Sequence, residues 1–142
     1  MEPGSSVTSL QRDTGERFVM LRRELGVSSF GVNQIVLQPG QRTRIHRHEH
    51  QEEVYLVLGG TLTLLIEGEA AEHGPDQLIR VAPDVRRQLV NRDHEPLVLL
   101  ALGGAGEHQS RDAEAFTSWD QQAGASPQEV PLPPDLSPHE LR

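Results

Sequence analysis

Between residues 30 and 102 the chain never runs far before glycine, proline, asparagine or aspartate interrupts it. "VSSFGVNQIVLQPG" alternates Phe30, Val32, Gln34 and Val36 against Asn33, Ile35 and Leu37, then stops at Pro39-Gly40. Segments 42–48, 53–58, 61–67, 77–81, 85–91 and 96–102 follow, each five to seven residues long. Gly59-Gly60, Gly68, Pro83-Asp84 and Gly103-Gly104 punctuate them. A helix needs longer uninterrupted periodicity. Short β-branched runs bounded by turn residues at this spacing predict an all-β sandwich or barrel.

The rest of the chain is organised around that core. Residues 1–15 are polar and small and read as a flexible N-terminus. Residues 16–106 form the barrel domain, with its centre at 30–102; within them "ERFVMLRREL" fits strand or helix equally well. After Gly106, "SRDAEAFTSW" offers Ser110 as an N-cap for one short C-terminal helix. The remainder of 107–142 is a proline-rich tail, either disordered or laid extended over the barrel.

Composition removes several function classes. With 142 residues and 35% hydrophobic content, one compact domain is expected. There is no cysteine, which excludes disulfides, thiolate metal sites and thiol nucleophiles and fits a cytoplasmic protein. No apolar run approaches the roughly 20 residues that span a bilayer, and "MEPGSSVTSL" is no signal peptide, so no membrane partner is expected. A formal net charge of −8 disfavours nucleic acid. All 13 basic residues are arginine, which fits either a GC-rich coding bias or bidentate anion recognition.

Chemistry concentrates in "HRHEHQEEVY", residues 46–55. Strand residues two apart share a face, so His46 and His48 point the same way, as do Glu53, Tyr55 and Val57 on the next segment. Two imidazoles and a nearby carboxylate make a donor set for zinc, iron, manganese, nickel or copper. A His-x-His pair alone is also what a solvated loop looks like; the following glutamate, strand and Gly-Gly turn strengthen the metal reading. His50 falls in the turn and should face solvent, and His73 and His94 fall in turns too.

"GQRTRIHRHEHQEEVYLVLGG" resembles the first motif of the cupin superfamily. Gly40, His46, His48, Glu53 and Gly60 fit one spacing, and Glu52 with Gly59 fits a shorter one; Glu53 is preferred because the strand and turn then align. The resemblance implies a double-stranded β-helix, or jelly-roll, barrel with the site inside. It also implies a divalent metal on His46, His48 and Glu53, and pairing as a homodimer. "DQLIRVAPDVRRQLVN" is similar to the second motif, with Pro83 and Asn91 in place and Asp76 and Asp84 where glycines are usual. Aspartate tolerates left-handed turns, so these can survive. The departure is Arg87, which stands where the resemblance would put a third histidine.

Two readings of the site follow. A metal sits on His46, His48 and Glu53 with Arg87 turned aside, or Arg87 replaces the metal by pairing with Glu53 or Glu52. In either, Arg44, Tyr55 and Arg87 are candidate ligand-binding residues for a small anion, typically a carboxylate, with Leu62, Leu64 and Leu89 as apolar walls. Three functions stay open: a metal-dependent enzyme, a metal-free binding or sensing module, and a metal-free isomerase or epimerase.

Overall fold

The computed structural model describes residues 4–104 and 112–142. Among the described residues, ten strands form two antiparallel five-stranded sheets. In chain order they are β1 (Phe18–Val19), β2 (Gly31–Leu37), β3 (Ile45–His48), β4 (Glu52–Gly59), β5 (Leu62–Ile66), β6 (Glu69–His73), β7 (Leu78–Val81), β8 (Arg87–Val90), β9 (Leu97–Gly104) and β10 (Ala113–Phe116). One sheet has the order β1-β2-β9-β4-β7 and the other β10-β3-β8-β5-β6. One short helix, α1 (Leu21–Leu25), follows β1, so the ambiguous "ERFVMLRREL" stretch supplies both a strand and a helix.

The sheets face each other across an apolar core. From the first sheet come Ile35, Leu37, Tyr55, Val57, Leu97 and Leu99; from the second, Leu62, Leu64 and Leu89. Strand alternation puts these residues on one side and their neighbours outside. Several outward positions are covered rather than wetted. Gln34, fully buried, accepts from the Gln11 amide (2.6 Å) and donates to its carbonyl (2.9 Å). That pairing, with Ser6 Oγ donating to the Leu25 carbonyl, ties down the N-terminal segment that was expected to fray.

Turn chemistry fixes the connections. Glu67 and Gly68 both have positive φ (50° and 87°) and join β5 to β6 as a two-residue hairpin, the backbone twist that suits paired strands. Gly60 has φ 80°, and a Cβ there would lie 2.4 Å from the Pro96 carbonyl oxygen. Asp76 takes φ 73°, the left-handed turn its residue type tolerates.

The C-terminal region departs from expectation. "DAEAFT" carries strand β10, not a helix; the Ser110 cap proposed for that helix lies outside the described residues. β10 pairs with β3, Ala113 opposite His48 and Ala115 opposite His46. Alanine and glutamate favour helices locally, yet this pairing buries Ala115 and Phe116 completely or nearly so, and tertiary packing prevails. The proline-rich tail is laid over the outside of the second sheet. Leu136 N–H donates to Gly40 O (2.8 Å), Arg42 Nε to Pro134 O (2.9 Å) and Arg142 N–H to Arg92 O (2.7 Å). Arg86 stacks over the Phe116 ring at 3.7 Å and donates to the carbonyls of Trp119, Gln121 and Gln122.

Candidate metal centre

One end of the barrel interior is polar. β3 supplies His46 and His48, with Ile45 and Arg47 on its opposite face; Arg47 leaves the barrel to pair with Glu114 on β10 (2.9 Å). β4 supplies Glu53 and Tyr55 from the facing sheet, and β8 supplies Arg87, directly opposite His46. Parity also settles the glutamate: Glu52 points outward and pairs with Arg80, whereas Glu53 points in.

Glu53 Oε1 is the convergence point. His48 Nε2 lies 3.2 Å from it, His46 Nε2 3.6 Å, the Tyr55 hydroxyl donates to it at 2.6 Å, and Arg87 Nη1 stands at 3.9 Å. Burial alone would push the Glu53 carboxyl up, but the adjacent His46 and His48 outweigh it and hold it well below the usual carboxylate range. The buried Tyr55 hydroxyl is driven the other way, first by desolvation and then by the charge of Glu53, so it stays protonated and serves as a donor.

The residues fit a divalent cation. Nitrogen and oxygen ligands about 2.1 Å from a metal lie roughly 3.0–3.4 Å from one another in octahedral to tetrahedral geometry. One edge, 3.2 Å, falls in that range and the other, 3.6 Å, lies just beyond it, and all three ligand atoms fall within 4.8 Å of one another. His46 Nδ1 sits 3.2 Å from the Arg44 carbonyl; a proton there leaves the Nε2 lone pair facing Glu53. Both ring nitrogens of His48 are buried and lack a hydrogen-bond partner among the described residues, the mark of a group awaiting a ligand.

Arg87 stands back from Glu53 and is held by backbone acceptors. Its side chain is completely buried, and Nη2 donates to the Ala82 carbonyl (2.7 Å) with Nη1 near that of Pro83 (3.5 Å). Those backbone acceptors draw the guanidinium toward the end of β7. Its Nε has no acceptor among the described residues. Tyr55 belongs to the core and reaches the site only through its hydroxyl. Arg44 is elsewhere: it precedes β3, and its Nε donates to the Val130 carbonyl of the tail (2.5 Å), on the outer side of the sheet. Asn91 is likewise structural, donating to the carbonyls of Leu37 and Glu95 (2.8 Å each). His50 is exposed, as expected.

One residue beside the site escaped sequence reasoning. Asp112 arrives just before β10, and its carboxylate comes within 3.6 Å of His48 Nδ1. Nothing local in the sequence marks it.

Residues 33–103, half of the chain, match a family model described as the cupin domain. No curated protein matches the chain. Among solved structures, a sugar phosphate isomerase of the cupin superfamily from Silicibacter pomeroyi is 26% identical, with a TM-score of 0.63 over 71% of this chain and 65% of that one. The chain thus spans less than two thirds of that relative's length. The cupin domain of an XRE-family transcriptional regulator from Enterobacter cloacae is 27% identical, with a TM-score of 0.56 over 63% of this chain and 97% of that domain. A cupin protein from Bacteroides fragilis shares the fold at 24% identity, TM-score 0.64, over 84% of this chain and 97% of its own.

Proposed function

We propose, since the chain belongs to the cupin family, that it binds a divalent metal through His46, His48 and Glu53 and uses it to hold a small anionic ligand inside the barrel. The observation that carries this reading is the placement of His46 Nε2 and His48 Nε2 at 3.6 and 3.2 Å from one carboxylate oxygen, with His48 otherwise unpartnered. Three protein ligands leave coordination positions open, and a metal so held acts as a Lewis acid toward an oxygen of the ligand. The chain's own residues do the rest. Tyr55 keeps Glu53 oriented and holds a proton at its hydroxyl, and the Arg87 guanidinium supplies positive charge beside Glu53. Similarity to a protein described as a sugar phosphate isomerase supports a ligand that carries a phosphate or carboxylate.

A second reading has Arg87 in place of the metal in a binding or sensing module. Its 3.9 Å approach to Glu53 favours it, and so does likeness to the cupin domain of a transcriptional regulator. Metal content separates the two. Untagged protein purified without chelator should contain near-stoichiometric metal by mass spectrometry, lost in His46→Ala. A protein that takes up neither zinc, iron(II), manganese nor nickel would sink the metal reading. Thermal stabilisation by a panel of phosphates and carboxylates, abolished in Arg87→Ala, would then support the second.

A further inference from the structure

The carboxylate of Asp112 lies outside the matched cupin segment and has no place in the ligand set. Its side chain is 2% exposed. Oδ2 accepts from the backbone N–H of Gln51 (2.8 Å) and His50 (3.0 Å), and Oδ1 lies 3.1 Å from His50 Nδ1. Together these bonds fix the carboxylate in one orientation. In that orientation Oδ2 stands 3.6 Å from His48 Nδ1. The facing nitrogen, Nε2, looks at Glu53 and the metal position. His48 Nδ1 is buried and has no other acceptor among the described residues.

We infer that Asp112 is a positioning residue for His48: its carboxylate accepts a hydrogen bond from the Nδ1–H of the imidazole and thereby keeps the Nε2 lone pair turned toward the metal. The separation is a few tenths of an ångström beyond a hydrogen bond. Such contacts commonly tighten when the ligand is in place. A carboxylate behind a coordinating imidazole fixes the tautomer and raises the basicity of the coordinating nitrogen. His46 has the equivalent contact with the Arg44 carbonyl, a neutral acceptor. The two histidines are thus held unequally, His48 by a charged group and His46 by a dipole. Glu49 and His50, which with Asp112 form a looser group of potential ligands, are exposed and contribute to this role only through the His50 bonds.

The role comes from the strand pairing of β10 with β3, which sets Ala113 opposite His48 and so delivers Asp112 to the turn after β3. It rests on the proposed assignment of His48 as a ligand, and the test separates the two. Long-range proton–nitrogen NMR of histidine-labelled protein reads which ring nitrogen carries the proton, with the His48 signals identified by their absence in His48→Gln. In metal-free and zinc-loaded wild type, His48 Nδ1 should carry a slowly exchanging, downfield proton. In Asp112→Ala that signal should vanish or the proton should move to Nε2, while the His46 pattern stays put. Asp112→Asn keeps an uncharged acceptor and should retain the proton at Nδ1. Zinc affinity should fall about 10–100-fold in the alanine variant and less in the asparagine variant. A bare His48 Nδ1 in the wild type would overturn the inference, and so would zinc affinity within threefold of wild type in both variants. If wild type binds no zinc, the metal reading fails, yet the metal-free ring pattern still decides the role of Asp112. If the alanine variant does not fold, the wild-type spectrum and the asparagine affinity decide.

Discussion

Arg87→Met should tighten metal binding. The guanidinium Nη1 lies 3.9 Å from Glu53 Oε1, and a metal about 2.1 Å from that oxygen can be no further than about 6 Å from the charge. A single and a double positive charge at about 6 Å repel by about 5–6 kcal/mol at an effective dielectric of about 20. The attraction between Arg87 and Glu53 exists before and after the metal arrives, so it drops out of the difference. Reorganisation and residual water take part of the repulsion away. If half survives, the affinity gain is about 100-fold, each tenfold step being about 1.4 kcal/mol. Methionine fills similar volume without charge. It leaves the Ala82 carbonyl without its donor, at a cost of about 1–3 kcal/mol in the stability of the metal-free protein. The two effects therefore have opposite signs and are measured apart. Competition with a chromophoric chelator at low ionic strength reads the first, and denaturant unfolding of the metal-free protein reads the second. Zinc affinity that is unchanged within threefold, or lower, in Arg87→Met would refute the electrostatic reasoning and mean that the guanidinium holds Glu53 in its binding geometry.

Two further outcomes concern the stability of the fold. The Glu53 carboxyl is held well below its ordinary value of 4.5, so the unfolded chain takes up that proton first as pH falls; the stability it contributes is complete above 4.5 and is lost on descending through the folded value. Urea unfolding from about pH 6 to about pH 3 should show metal-free wild type losing its advantage over Glu53→Gln, and a constant gap between the two would contradict this. Gly60→Ala forces an L-residue to φ 80° with its Cβ 2.4 Å from a backbone oxygen, and should cost about 3 kcal/mol by thermal unfolding. Gly74→Ala, whose Cβ meets nothing within 4 Å, is the control and should stay near wild type.

The barrel and the centre of its site were legible because both depend on the two-residue alternation of strands. That period placed His46 with His48 and Glu53 with Tyr55, while the choice of Glu53 over Glu52 came from the strand and turn of the cupin motif. What failed had its cause elsewhere in the chain. Strand β6 reads Glu-Ala-Ala-Glu-His and carries no apolar face; a tight hairpin and its partner β5 make it a strand. Strand β10 prefers a helix locally and is overruled by β3. Arg44 keeps the parity of His46 but lies just before β3 begins, where a tail carbonyl 86 residues away claims it. Asp112 lies 64 residues beyond His48, and only the folded register joins them. Local pattern finds what a strand does to its own side chains and misses what a distant strand does to them.

The charges gathered at this end of the barrel bear on what it binds. Glu53 and Asp112 bring two negative charges and Arg87 one positive, with the histidines neutral when they face a metal. With the histidines counted as neutral, the cluster without a cation is negative by one charge and disfavours an anion. A divalent ion reverses that balance to one positive charge, largely out of water. A buried surplus of that kind is costly unless paired. A monoanionic carboxylate or phosphate oxygen would supply that pairing, and Arg87 Nε, which has no acceptor among the described residues, is the donor nearest to hand. Metal and anion should therefore bind with positive coupling, each strengthening the other by the same factor. Arg87→Met makes the metal-loaded cluster neutral. It should break that coupling even as it tightens the metal, so that added phosphate or acetate raises zinc affinity in wild type and leaves it unchanged in the variant.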